Sequence, residues 1–120
     1  MTNHGDYSPE ARTAAERKAR AAGVFAEFAE VIVAALPDVP ENHVLVAIVD
    51  EGHEFTGTHH VATDDIVERV NELEGDGWAM VFTVGSGVED VRRRTEEMAT
   101  LARRRAEMIT RIQARRNGID

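Results

Sequence analysis

The sequence predicts an α+β fold, with a small three-stranded and mostly antiparallel sheet in the order 2-1-3 and long N- and C-terminal helices. Short β-branched apolar runs, which favour strands, alternate along the chain with segments whose apolar residues recur at helical spacing. The resulting chain order is α-β-β-α-β-α. Since the chain has 120 residues, we expect a flexible tail at residues 1–7 and a single domain at residues 8–120.

The first helix is predicted to begin at Ser8, a residue type that caps helix N-termini. Its C-terminal half carries Phe25, Phe28 and Ile32 at helical spacing, which predicts that this half is the better buried one. Pro37 is expected to end the helix, because proline cannot continue the hydrogen-bond ladder.

Two strands should follow. Residues 43–50 read HVLVAIVD, apolar at both parities, which is typical of a central strand buried on both faces. Residues 54–62 are more polar and contain Gly57, a pattern typical of an edge strand. In this second strand Phe55 and Val61 share one parity, so we expect both on one face of the sheet.

A short helix is predicted next, capped by Thr63 or by an aspartate after it and ended by Gly75. It leads to a third apolar strand at residues 78–85. If the first two strands form a hairpin, this crossover places the third strand beside the first, which gives the order 2-1-3.

The last helix is predicted from a Ser86–Glu89 capping box to Asn117–Gly118. At 1.5 Å per residue it is about 45 Å long, longer than the width expected of a domain this size. It could pack antiparallel on the first helix or pair with another chain, and we expect a homo-oligomer. The residues predicted for that interface are Val91, Met98, Leu101, Met108 and Ile112.

Composition narrows the classes of function. The net charge is −8, and an acidic body disfavours nucleic-acid binding because phosphate repels it. Arginine, abundant at residues 88–120, almost replaces lysine, as in proteins of GC-rich bacteria and their phages. The absence of cysteine excludes disulfides and thiolate ligands. No apolar run is long enough for a membrane span and no signal peptide is evident, so we expect a cytoplasmic location.

A metal site is one hypothesis for the segment EGHEFTGTHHVATDD at residues 51–65. Its candidate ligands are His53, His59, His60 and Asp64, since imidazole and carboxylate are common zinc ligands. On a strand, however, His59 and His60 point to opposite faces. The pattern therefore favours an edge strand followed by a helix cap, with no cofactor.

A small-anion site is a second hypothesis, at the turn before the last helix. Gly85, Ser86 and Gly87 precede a helix N-terminus, where free N–H groups attract anions, and Arg92 lies one turn further on. The segment matches neither of the glycine-rich nucleotide motifs, however.

No catalytic constellation is evident in the sequence. We therefore expect a non-catalytic binding or regulatory protein, an oligomeric accessory protein that acts on a protein partner. The first alternative is a protein that binds a small anionic ligand such as a nucleotide. A metal-dependent enzyme using His59 and His60 is the second alternative.

Overall fold

The computed structural model describes residues 7–118 and confirms the predicted α+β architecture and chain order. The predicted tail lies, apart from Tyr7, outside the described residues. Both strand pairs are antiparallel and β1 is central, so the sheet order is β2-β1-β3. The elements are α1 (Pro9–Glu27), α2 (Ala29–Ala35), β1 (His43–Val49), β2 (Phe55–Ala62), α3 (Ile66–Glu74), β3 (Trp78–Phe82) and α4 (Val88–Arg116).

The long helix α4 packs antiparallel on α1 of its own chain. At one end the Gln113 side chain donates a hydrogen bond to the Tyr7 carbonyl oxygen, 3.0 Å away. At the other end Val91 shares a core cluster with Phe25. The buried face of α4 consists mostly of small side chains, which let two helices approach closely. Its members are Val91, Thr95, Ala99, Ala102, Ala106 and Ile109.

The sheet separates two apolar clusters, and β1 contributes to both because its side chains alternate between the faces. Every residue of β1 from Val44 to Val49 is buried, as expected of a central strand. Leu45, Ala47 and Val49 pack against α1, α2 and α4. Val44, Val46 and Ile48 pack with Val61 under α3.

The expectation that Phe55 and Val61 share a face of the sheet is wrong. The pairing of β1 with β2 shifts between Ile48 and Val49, where Phe55 is the partner of Val49. A bulge of this kind changes the parity of the residues beyond it. Phe55 consequently packs against the helical layer, whereas Val61 lies in the cluster under α3.

The first helix begins as predicted, since the Ser8 hydroxyl oxygen accepts a hydrogen bond from the Ala11 N–H at 3.1 Å. It is interrupted at Phe28, whose φ of −101° and ψ of 19° separate α1 from α2. The interruption is local, because the Ile32 N–H still donates to the Phe28 carbonyl oxygen at 2.9 Å.

The predicted cap of α4 is wrong, whereas the N-cap of α3 is Asp65, one of the aspartates predicted as the alternative to Thr63. Gly87, not Ser86, is the N-cap of α4, and its N–H donates to Asp90 at 2.9 Å. The Ser86 hydroxyl instead donates to the Thr83 carbonyl oxygen. Thr63 lies in a short 3-10 turn before α3, where its hydroxyl donates to the Asn42 carbonyl oxygen at 3.2 Å. The predicted ends at Gly75 and at Asn117–Gly118 are confirmed.

Candidate protein-binding face

The surface of α4 that turns away from α1 carries apolar side chains with no apolar cover. Leu101 is 66% exposed and Met108 is 41% exposed. They are seven residues apart, two helical turns, and therefore lie on one side of the helix. We define the outer flank of α4 as Glu97, Leu101, Arg104, Met108 and Arg111, all of which are exposed.

The five residues predicted for an oligomer interface occupy different environments. Val91 is fully buried in the core of its own chain and does not reach the outer flank. Met98 and Ile112 are half-buried and are not part of the outer flank. Of the five, only Leu101 and Met108 are exposed. The structure thus brings these two together and removes Val91 from the set.

The sheet covers only part of α4, because the helix is longer than the strands. Its 29 residues span about 44 Å at 1.5 Å per residue. The seven residues of β1 span only about 23 Å at 3.3 Å per residue. Among the apolar side chains of α4 that pack against the core between the sheet and the helices, Met98 is the last along the chain. The half of α4 beyond it packs mainly on α1 and on Tyr7, just before α1.

A groove of about 490 Å³ runs between α1 and α4 beside the outer flank. A second hollow of about 470 Å³ adjoins it at the end of β3, and the two share Lys18 and Met98. They form one concave strip next to Leu101. The groove is lined by Ala15, Lys18, Met98, Leu101, Ala102 and Arg105, and the hollow extends to Trp78 and Ala79.

Tyr7 lies against Arg105, one of the residues that line the groove. The sequence groups it with the tail, but its ring lies under two guanidinium groups of α4. Those of Arg105 and Arg116 lie 5.5 Å and 5.9 Å from the ring centroid, within cation–π range. The chain just before α1 therefore packs against the basic C-terminal end of α4.

Contacts around Trp78 connect the β1–β2 turn to α1. The His53 ring stacks on Trp78 with centroids 4.8 Å apart, and the Arg17 guanidinium lies 5.3 Å from the same ring. His53 Nε2 donates to the Arg17 carbonyl oxygen at 3.0 Å, while the Arg17 side chain donates to the Glu51 carbonyl oxygen at 2.6 Å. Sequence reasoning missed Arg17, because its partners lie more than thirty residues away.

The four predicted metal ligands are not brought together. His53 is committed to Trp78 and α1, and Asp64 is exposed in the turn before α3. His59 pairs across the sheet with Val46 and His60 with Leu45, so they lie on opposite faces as expected. Within residues 7–118, no three His, Asp or Glu side chains are close enough to hold one metal ion.

At the predicted anion site, Gly85–Gly87, one N–H group already binds a carboxylate of the same chain. Asp90 accepts the Gly87 N–H, the kind of donor that an anion would use at a helix N-terminus. The hydrogen bond from Gly87, followed by that from Arg93, holds the pKa of Asp90 below its ordinary value. An anionic ligand that approached this turn from solvent would be repelled by the Asp90 carboxylate, which stays charged.

Arg92, the predicted cationic residue of that site, forms ion pairs with two glutamates of the same chain. Its guanidinium lies 3.9 Å from Glu30 and 3.8 Å from Glu89. Both contacts are exposed and long, so each contributes little to stability. Binding of an anionic ligand here stays a prediction.

No helix among residues 7–118 is long and apolar enough to cross a membrane. No protein-family model, curated protein sequence or solved structure matches this chain.

Proposed function

We propose that this protein is a non-catalytic binding protein, and that it docks another protein against the outer flank of α4 and the adjoining groove. The observation that carries the proposal is the exposure of Leu101 and Met108 on one side of a helix. Large apolar side chains grouped on one surface mark interaction sites more often than single exposed ones do.

The composition of the face supports the same function. Leucine and methionine lie among arginines, and interface cores are enriched in methionine and arginine and depleted in lysine. The adjoining groove gives a concave edge into which a partner side chain could insert. The role that suits such a module is accessory or regulatory: it acts through the partner that it holds.

A photo-crosslinking experiment in the cells that produce the protein tests this proposal. A photoreactive phenylalanine analogue would replace Leu101 or Met108 in the full chain. Val67 and Val84 serve as matched controls, because they are also exposed, at 71% and 58%, but lie away from the outer flank. We expect both flank positions to give an adduct with the same protein, identified by mass spectrometry.

The adduct should be missing at Val67 and Val84. Equal crosslinking at all four positions, or none at Leu101 and Met108, would contradict the proposed binding face. The identity of the crosslinked protein decides the outcome rather than the amount of adduct, since a photoreactive residue at any exposed position captures some protein without specificity.

A further inference from the structure

The outer flank of α4 carries an ordered pattern of charge. At intervals of seven residues α4 carries the half-buried Asp90 in its first turn and then Glu97, Arg104 and Arg111 on the outer flank, which are two acids followed by two bases. Seven residues are close to two helical turns, so the four side chains follow one line along the helix with a small drift. Leu101 lies near the middle of this line.

Three of these charges lack an ion-pair partner in the part of the chain that the structure describes. Within residues 7–118, Glu97, Arg104 and Arg111 make no ion pair within 4.0 Å. By contrast, Arg103, on the neighbouring strip of the helix, lies 3.8 Å from Glu96. Glu97 and Arg104 cannot pair with each other, because two turns separate them by about 10 Å.

We propose that the outer flank binds a second copy of this chain, with the two α4 helices antiparallel about a two-fold axis beside Leu101. The inference rests on the proposed protein-binding function and names its partner. Reversal of the helix turns the order acid-acid-base-base into base-base-acid-acid. Glu97 of each copy then faces Arg104 of the other, and Asp90 faces Arg111.

A two-fold interface uses the same patch on both copies, so it must be self-complementary. This one is, because every ion pair forms twice and Leu101 meets Leu101 of the second copy at the axis. Met108 then lies over Arg94 of the second copy, whose guanidinium is already held by the Val81 carbonyl oxygen and the Phe82 ring.

Other arrangements of the same helices place like charges together. A parallel copy in register sets Glu97 against Glu97 and Arg104 against Arg104. An antiparallel copy slid by seven residues toward the C-terminus sets Arg104 against Arg104 of the other copy. Like-charge juxtaposition suppresses wrong pairings, so the charge order specifies both direction and register.

Charge exchange in the full chain tests this arrangement, with sedimentation equilibrium as the measurement. Wild-type protein is expected to be dimeric at on the order of 100 μM, because a helix contact about 33 Å long forms a small interface. Glu97→Arg or Arg104→Glu alone turns two attractive pairs into two repulsive ones. Each should raise the dissociation constant by on the order of 10- to 30-fold.

The combined variant Glu97→Arg with Arg104→Glu should dimerise again, because the exchanged pairs are attractive. A mixture of the two single variants should form a heterodimer, since one copy then carries arginine at both positions and the other carries glutamate at both. Arg103→Glu is the matched control, with the same change of charge one residue away, and should leave the dissociation constant unchanged. Circular dichroism melting verifies that every variant is folded.

Three results would overturn the proposed dimer: a wild-type protein that stays monomeric at about 0.5 mM, single variants that dimerise as wild type does, or a combined variant that stays dissociated. The crosslinking experiment separates this inference from the proposed function. An adduct of Leu101 with a different protein would keep the binding face and exclude the second copy as its occupant. No adduct at all would contradict both.

Discussion

Phe55 stacks on Phe28 with ring centroids 4.3 Å apart and ring planes only 9° from parallel. The contact joins the first residue of β2 to the residue at which the N-terminal helix is interrupted. It exists because the bulge opposite Ile48 and Val49 turns Phe55 toward the helices. The bulge and the helix interruption are therefore linked by one aromatic pair.

A double-mutant cycle tests this pair. Phe28→Ala and Phe55→Ala should each destabilise the fold, and their effects should be less than additive by about 1 kcal/mol, the usual coupling of a stacked aromatic pair. Chemical denaturation of the two single variants and the double variant measures the coupling. Phe55→Ala combined with Val67→Ala on α3 is the control, and there the effects should add. Additive effects in the aromatic pair as well would show that the stack contributes nothing specific.

His53 stabilises the β1–β2 turn despite an unfavourable backbone conformation. Its φ of 64° costs a side-chain-bearing residue roughly 1 kcal/mol relative to glycine. His53→Ala removes the stack on Trp78 and keeps the strain, whereas His53→Gly removes both. We therefore expect both variants to unfold at lower denaturant concentration than wild type, with the glycine variant the more stable of the two.

The reverse order is expected at Thr58, in the middle of β2, where glycine is less favourable than alanine. If alanine proved better than glycine at position 53 as well, backbone strain would not be the property that distinguishes this site.

Gly77 lies where the chain enters β3, and a side chain does not fit there. A Cβ at this position would overlap the Val49 carbonyl oxygen and lie 2.8 Å from Asp50 Cα, both in the backbone. We expect Gly77→Ala to destabilise the protein by about 2–3 kcal/mol, since backbone atoms cannot move aside cheaply.

Gly23→Ala is the matched control, because Gly23 lies within α1 and a methyl group added there would meet nothing within 4 Å. It should stabilise the protein by about 0.5–1 kcal/mol through helix propensity. Equal effects of the two substitutions in thermal unfolding would refute the close approach at Gly77.

Asp90 is expected to make stability depend on pH at the start of α4. Because its pKa in the folded state is lowered from 3.8, the unfolded chain binds a proton first as the pH falls. The stabilisation is therefore complete above the unfolded pKa and is lost as the pH falls through the folded one. Asp90→Asn should lower the melting temperature at pH 7 and differ less from wild type at pH 3.

Arg93→Gln should show a smaller loss in the same direction, because the hydrogen bond from Gly87 remains. A constant difference between Asp90→Asn and wild type from pH 7 to pH 3 would mean that the charge of Asp90 has no part in the cap.

The fold was predictable where a pattern extends over many residues. Two-sided apolarity identified β1 as central, Ser8 the start of α1 and Asn117–Gly118 the end of α4, whereas the interruption at Phe28 was not predicted. A single-residue event was not predictable: nothing local to residues 48–55 reveals the bulge that moves Phe55 to the other face. The cap of α4 was misplaced by one residue for a similar reason, since Ser86 and Gly87 are both acceptable N-caps.

The candidate site was predicted in part. Sequence reasoning selected five large apolar residues of α4 for an oligomer interface; of these Leu101 and Met108 are exposed, whereas Val91 is buried in its own chain. The face against α1 is built instead from small residues such as Ala99, Ala102 and Ala106, which carry little hydrophobic signal. Which apolar face a helix buries depends on its neighbour, and the neighbour lies some eighty residues away.

The most direct measurement of the central claim is the distance between spin labels in the dimer, since a chain without cysteine accepts one label at a chosen site. With a two-fold axis beside Leu101, the backbones at position 110 should be about 27 Å apart along the helices and those at position 100 much closer, from a rise of 1.5 Å per residue in each copy. Labels at Thr100→Cys should give a short distance, and labels at Thr110→Cys a distance of roughly 27 Å or more, because the lateral separation of the helices adds to the axial offset. Equal distances at the two positions would indicate parallel helices, and the absence of any coupling would indicate a monomer; either result would contradict the account.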